Sequence, residues 1–243
     1  MAEDKRKVEV CFSPVMFSDF RNDAAIVVIV DILRATSAIV TAFMNGVKSI
    51  IPVATLEEAM DYKKKGFLVA AERDGIVRDF ADFGNSPYNF RREIIGGKDI
   101  VYSTTNGTLS IMMAKESHRV LIGSYLNLQA LVDYINHEDH DLVILCAGWK
   151  NKFNLEDTLF AGVLAEEVLK NNRFTTNCDS TYASMDLWNL AKNDLLGYIE
   201  KAAQRHRLKK NKLDDVIAYC HTMNLTHLIP ALKENFLTLV DNK

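Results

Sequence analysis

The run "AAIVVIV" (24–30) is continuously apolar and rich in β-branched residues, with no polar alternation, which is the pattern of a strand buried on both faces. The segment directly after it constrains the fold most. Beyond "DILRAT" comes "SAIVTAFMNG", where Ala38, Ile39, Ala42 and Phe43 share one helical face and Gly46 fits the position just past a helix end. The alternation then repeats. "SIIPVA" reads as a strand, with Pro52 placing it near an edge or a strand end. "TLEEAMDYKKKG" comes next, with Thr55 and Glu58 at capping-box spacing and Gly66 as the stop. "FLVAA", "DIVYS" (99–103), "RVLIG" (119–123) and "DLVILC" (141–146) read as further strands. The helical patterns "LSIMMAKE", "LQALVDYIN" and "LEDTLFAGVLAEEVLK", the last capped by Asn154, lie among them. Strands interleaved with helices at this spacing predict an α/β fold: a layered, largely parallel sheet with helices on both faces and a helical C-terminal region.

Past about residue 172 the pattern becomes two or three helices, and "THLIPAL" and "NFLTLV" read as short returning strands. With no repeat, low-complexity segment or Pro/Gly/Ser-rich linker, the expectation is one compact unit over 1–243. Its α/β core spans 8–172, and a helical part, a candidate subdomain, spans 173–243.

Composition narrows the function classes. A formal net charge of −3 gives no reason to expect a nucleic-acid partner, and "RHRLKK" reads as a solvated helix end. The longest apolar run is too short to span a bilayer, and "MAEDKRKVEV" lacks the apolar region of a signal peptide. Four cysteines (Cys11, Cys146, Cys178, Cys220) form no CxxC pair. Together these features lead to the expectation of a cytoplasmic protein without membrane partners. His137 and His140 approach a ligand spacing but sit in the polar segment "NHEDHD", where a solvated loop is the simpler reading.

The polar residues collect where the predicted strands end. Asp31 and Arg34 follow the first strand, and Glu72, Arg73 and Asp74 follow "FLVAA". Thr104, Thr105, Asn106, Gly107 and Thr108 follow "DIVYS", and Cys146, Ala147 and Gly148 close "DLVIL". Ligands of open α/β sheets bind beyond the carboxyl ends of strands, so parallel strands would bring four such clusters to one mouth. Carboxylates there (Asp31 and Glu72, with Glu156 and Asp157 at a following helix start) suit Mg²⁺, whereas arginine forks and backbone N–H groups suit an oxyanion. The combination describes metal-assisted handling of a small, highly charged anion, most naturally phosphoryl transfer or hydrolysis. Each residue also has a plain structural use. Asp31 and Asp157 can serve helix starts, Glu72 and Arg73 a surface pair, and "FGNSPYNF" (83–90) a turn. The hydroxyl-rich "STTNGT" reads either as an over-decorated helix cap or as an anion cradle. Cys146 followed by "AGWKNK" has Lys152 where a cysteine phosphatase needs an arginine, and Leu33 stands where an aspartyl-nucleophile phosphatase needs its second acid.

Taken in order, "VVIVDILRATSAIVTAFMNG", "AERDGI", "DFGNSP", "STTNGT" and "CAGWKNKFNLED" resemble the 2-phosphosulfolactate phosphatase family over about residues 8–170, with a weaker echo in "LKKNKLDDVIAYC" and "HLIPAL". The resemblance implies a Mg²⁺-dependent phosphoric monoester hydrolase of coenzyme M biosynthesis, converting (2R)-2-phospho-3-sulfolactate to 3-sulfolactate and phosphate. It implies catalytic roles for Asp31, Arg34, Glu72 and Arg73, and substrate binding by Asn85, Ser86, Thr104, Thr105, Asn106, Gly107 and Thr108. Asp31, Glu156 and Asp157 become the expected metal ligands. Ala71 and Ala81 depart from the family pattern, as does "AQRHRLKK" in place of a glycine–arginine segment; the last bears on substrate identity. The alternatives are a phosphatase of another small phosphorylated acid and a catalytically silent anion-binding protein. A homodimer is expected by base rate alone.

Overall fold

The computed structural model describes residues 5–240; residues 1–4 of the "MAEDKRKVEV" stretch and residues 241–243 lie outside it. Eleven strands form one sheet: β1 (Arg6–Cys11), β2 (Ile26–Val30), β3 (Ser49–Pro52), β4 (Leu68–Arg73), β5 (Ile76–Val77), β6 (Asp99–Ser103), β7 (Arg119–Gly123), β8 (Leu142–Cys146), β9 (Phe174–Thr175), β10 (Pro230–Lys233) and β11 (Phe236–Leu239). The longer helices are α1 (Ala35–Met44), α2 (Leu56–Lys64), α3 (Gly107–Met113), α4 (Leu128–His137), α5 (Leu155–Leu169), α6 (Asp179–Ala191) and α7 (Ala203–Lys210). No helix among the described residues is long and apolar enough to cross a membrane.

The sheet order is β5-β4-β6-β3-β11-β10-β7-β2-β8-β1-β9. Two parallel arms, β4-β6-β3 and β7-β2-β8-β1-β9, are joined through the antiparallel hairpin β10–β11. The sheet is thus largely parallel, as the alternation of strands and helices predicts, but three successive antiparallel junctions give the two arms opposite sense along the ladder. Pro52 ends an interior strand, β3, whose neighbours are β6 and β11, so it marks the strand end rather than a sheet edge. The returning strands expected near the C-terminus are β10 and β11, and they hold the arms together.

Side-chain alternation sorts the core into layers. Ile26, Val28 and Val30 of β2 pack with Val8, Val10, Leu142 and Ile144 beneath residues of α4, α5 and α6. Val27 and Ile29 face the other way, into a cluster shared with Ile50, Ala70, Ile100 and Tyr102 of the first arm and with Ala38, Ile39 and Ala42 of α1. A third layer, Ile51, Val53, Val69, Ala71 and Val101, is covered by α2, which starts at the Thr55–Glu58 capping box. The middle cluster shows how the arms meet. Strand twist of about 20–25° per pair accumulates along the ladder, and residues of α1 and α3 pack in this cluster against both arms, α3 touching both β2 and β3. The carboxyl ends of β2, β4, β6 and β8 thus reach one place despite the opposed sense of the arms.

Candidate active site

That place is a cavity of about 360 Å³ of empty space, its open mouth included, lined by residues from six parts of the chain. Asp31, Leu33 and Arg34 come from the β2–α1 loop, Glu72 and Gly75 from the end of β4 and its turn, and Asn85 from the 83–86 loop. Thr105 and Asn106 follow β6, Gly148, Trp149 and Asn154 follow β8, and Gln204 and Leu208 descend from α7.

Arg34 lies in the wall, 4% exposed, and its Nη2 donates to Asn85 Oδ1 at 2.8 Å. Its Nη1 is buried with no hydrogen-bond partner among the described residues. A buried guanidinium with one committed and one uncommitted nitrogen is arranged to receive an oxyanion. Asp31 accepts the Ala35 amide through Oδ1 at 3.3 Å, so it braces the start of α1 while remaining on the cavity wall. Burial pushes its carboxyl up to about 7, and the neighbouring Glu72 adds to the rise.

Glu72 is 3% exposed and fully engaged. Oε1 accepts the Thr105 amide at 2.8 Å and hydroxyl at 3.1 Å, and Oε2 accepts the Gly75 amide at 2.6 Å. It fastens the β6–α3 turn to the β4–β5 turn, where Asp74 and Gly75 both adopt positive φ, as a two-residue hairpin loop requires. Arg73 does not line the cavity. Its Nη1 donates to the Glu72 carbonyl, and its Nη2 donates to the Ala54 carbonyl and the Ser103 hydroxyl, tying strand ends together.

In "STTNGT" most hydroxyls are spent internally. The Thr104 amide donates to Thr108 Oγ1 and the Thr108 amide to Thr104 Oγ1, both at 3.1 Å, a reciprocal cap that closes the first turn of α3. Thr105 Oγ1 belongs to Glu72 and the Asp74 amide, so the segment presents Thr105 and Asn106 to the cavity while Thr104, Gly107 and Thr108 stand behind. Gly107 sits where a Cβ would lie 2.6 Å from the Ala35 Cβ and 3.0 Å from Asp31 Oδ2, which is why no side chain fits there. Ser86 starts the 87–89 turn with its hydroxyl unengaged and is not on the wall.

Glu156 and Asp157, in the first turn of α5, lie behind the wall and are both wholly buried. Asp157 accepts the Ile32 amide at 2.9 Å through Oδ1 and the Gly148 amide at 3.1 Å through Oδ2, pinning the loops after β2 and β8 to each other. Neither oxygen of Glu156 has a hydrogen-bond partner in the structure. Burial raises the Glu156 carboxyl to about 7, and burial with the nearby Asp31 and Glu156 raises Asp157 well above the carboxylate range. Cys146 is buried off the wall with its thiol pushed well up by burial, the opposite of an activated nucleophile.

A family model described as 2-phosphosulpholactate phosphatase matches residues 14–235. The chain belongs to that family. A protein of Thermotoga maritima named "Probable 2-phosphosulfolactate phosphatase" is 37% identical over 84% of this chain and 88% of its own length. Proteins with the same name from Caldanaerobacter subterraneus (34% identical, 87% and 89% covered) and Clostridium perfringens strain SM101 (31%, 97% of both) extend the likeness to nearly the whole chain. The reaction class carried by the 2-phosphosulpholactate phosphatase family is hydrolysis of a phosphoric monoester.

Sequence reasoning did not single out Trp149, Gln204 or Leu208. The signal for Trp149 was its place just past a strand end. Gly148 (φ +61°) leads into a turn with Lys150 and Asn151 at positive φ, closed by two Trp149–Lys152 backbone bonds of 3.0 Å, which holds the indole at the mouth. For α7 no local signal existed. Its docking depends on Gln204 Nε2 reaching the Leu33 carbonyl at 2.9 Å, a contact across 171 residues.

Proposed function

We propose that the chain hydrolyses the phosphate monoester of a small anionic acid, 2-phosphosulfolactate, to 3-sulfolactate and phosphate, with Mg²⁺ as cofactor. The observation that carries this reading is the buried Arg34 with its unpartnered Nη1, in the wall of one small cavity that also holds Asp31. In the reaction, water oxygen adds to phosphorus, the ester P–O bond breaks, and the departing alkoxide leaves as the lactate hydroxyl after taking a proton. Arg34, oriented by Asn85, binds phosphoryl oxygens and offsets charge that grows on the transferring group. Asn106 adds a polar side chain to the cavity wall, and Thr105, its amide and hydroxyl held by Glu72, fixes the position of that turn. Trp149 and Leu208 narrow the mouth and exclude bulk water.

The donor set fits a hard divalent cation. Glu156 has two buried oxygens without partners, and Asp31 Oδ2 accepts no hydrogen bond from the described residues. Asp31 and Glu156 would hold the ion, while Asp157, whose oxygens already receive backbone N–H groups, would set the loops around it. Such an ion would supply charge neutralisation at the phosphoryl oxygens and would make a bound water more acidic. One or two carboxylates are its usual protein share, since Mg²⁺ keeps waters and substrate oxygens as its other ligands.

The second anionic group of the substrate finds a cation at the α7 side. The Arg207 guanidinium lies 4.4 Å over the Trp149 ring centroid, and its Nε donates to Gln204 Oε1 at 2.6 Å. The test is phosphate release from 2-phosphosulfolactate by purified protein, with Mg²⁺ and with EDTA, beside phospholactate and phosphoglycolate. Metal-dependent turnover confined to the sulfonate is the expected result. Equal turnover of the carboxylate analogues would overturn the substrate, and EDTA-insensitive turnover would overturn the cofactor.

A further inference from the structure

At the amino ends of β7, β2 and β8, away from the strand ends that form the cavity, three metal-ligating side chains come together. We propose that His118, Glu138 and His140 bind one divalent transition-metal ion of the zinc class, independently of the reaction cavity. One ligand atom from each residue lies within 4.8 Å of those from the other two. The residues come from separate segments: His118 immediately precedes β7, and Glu138 and His140 lie on the loop between α4 and β8. The histidine pair considered from spacing, His137 with His140, does not form. His137 Nδ1 contacts the Asp133 carbonyl of its own helix at 2.6 Å.

The geometry of His140 is that of a prepared ligand. Its Nδ1 lies 2.9 Å from the Ala24 carbonyl, which can only accept, so Nδ1–H is committed there and Nε2 is the nitrogen left to face an ion. A carbonyl behind the distal nitrogen is the usual support of a metal-bound imidazole. The His118 and His140 rings stack with centroids 3.6 Å and planes 19° apart, which keeps the two imidazoles together beside Glu138. Two imidazoles and one carboxylate select Zn²⁺, Co²⁺ or Ni²⁺ over Mg²⁺, which prefers an all-oxygen shell. Arg6 pairs with Asp139 at 3.1 Å and donates to the Glu138 backbone carbonyl, and Arg119 donates to the Tyr134 hydroxyl, so neither guanidinium is paired with the Glu138 carboxylate. To aim its lone pair at the same ion as His140, the His118 ring turns out of the stack, and its exposure leaves room for that turn.

Because the three ligands and Ala24 border neighbouring strands β7, β2 and β8, the ion would staple the amino ends of those three interior strands. Chelator-stripped protein in excess Mg²⁺ is titrated with ZnCl₂ by calorimetry, and its melting temperature is followed in parallel. One zinc bound per chain and a rise of several degrees are expected. His118→Ala and His140→Ala should each weaken zinc binding at least tenfold and abolish the rise, whereas Asp31→Asn should leave both intact. Titration of the wild-type chain with Co²⁺ reads the site without any variant: intense visible bands of a tetrahedral ion are expected. Absence of zinc binding, a weak octahedral Co²⁺ spectrum, or zinc binding lost with Asp31 and kept without the histidines would each overturn the proposal.

Discussion

Glu72 grips Thr105 twice, accepting its amide at 2.8 Å and its hydroxyl at 3.1 Å, while its other oxygen takes the Gly75 amide at 2.6 Å. One buried carboxylate therefore joins two turns that line the cavity. Glu72→Gln keeps the shape but replaces one acceptor oxygen with an NH₂ group that must face a backbone N–H. Leaving that amide unsatisfied costs about 1–3 kcal/mol. Thermal unfolding should show a melting temperature lowered by several degrees, with turnover reduced because Thr105 and Asn106 shift. An unchanged melting curve would rule out this bracing role.

Arg34 tests the oxyanion reading directly. Arg34→Lys retains one positive charge and one donor toward Asn85 but removes the planar fork and the second nitrogen. kcat/KM for phosphate release should fall by roughly 10²–10³, the usual cost of losing a donor to developing charge. The melting temperature should change little, since Nη1 has no protein partner to lose. Wild-type kinetics in the lysine variant would remove Arg34 from the reaction.

Thr108 separates cap from cradle. Its hydroxyl receives the Thr104 amide and donates to the Thr104 carbonyl at 3.2 Å. Thr108→Val should lower stability by about 1–2 kcal/mol, measured by urea unfolding, and leave kcat within a few-fold. Asn106→Ala, on the wall, should do the reverse. A large loss of turnover with unchanged stability in Thr108→Val would restore the hydroxyl to substrate binding.

Much of the architecture is legible in the sequence because its signals are local. The β2–α1, β6–α3 and β8–α5 units announce themselves by apolar runs followed by helical faces, and Thr55 with Glu58 marks a helix start that the structure contains. Polar residues at the strand ends identify Asp31, Arg34, Glu72, Thr105 and Asn106 of the cavity wall, and the family resemblance adds Asn85. The features that escape the sequence are set at long range. Periodicity does not show that hairpin β10–β11 reverses one arm against the other, nor that accumulated twist brings the ends together again. Gln204 and Leu208 enter through a helix docked 171 residues from its contact at Leu33. Hydrogen-bond direction is equally invisible: nothing in the letters says that Arg73 turns to carbonyls at the strand ends or that Thr104 and Thr108 satisfy each other. The Asp74–Gly75 pair is an exception. It is a strong hairpin signal for β5, which the strand pattern alone omits.

His221 gives the fold a pH dependence of its own. The ring is 7% exposed, its Nδ1 is held by the Ile217 carbonyl at 2.7 Å, and Nε2 has no partner. Burial lowers its pKa from 6.5 to about 4. Between those values the unfolded chain binds the proton and the folded chain does not. The stabilisation is therefore fully present above about pH 6.5 and declines as pH falls, levelling off below about pH 4. The loss over that window amounts to about 3 kcal/mol. The raised carboxyls of Asp31, Glu156 and Asp157 act in the opposite sense over the same window, so His221 is read from a difference: His221→Phe, which keeps a ring beside Tyr125, should gain in urea midpoint relative to wild type as pH falls from 7 to 4. Equal slopes in both proteins would show that His221 is not the group responsible.

Arg207 offers the sharpest test of which acid the cavity takes. It sits over Trp149, half-buried, on the one element of the wall that the sequence pattern leaves furthest from the family's usual residues. A substrate with a second anion at that side gains a charge-assisted contact from Arg207, whereas a simple aryl phosphate does not. Arg207→Ala should raise KM for 2-phosphosulfolactate about tenfold, with kcat nearly unchanged, because the contact is made equally in ground and transition states. KM for the aryl phosphate should stay within about twofold of wild type. Parallel losses for both substrates would mean that Arg207 supports the indole and the mouth rather than reading the substrate. In that case the specificity of the site would have to come from the polar wall formed by Thr105, Asn106 and Gln204.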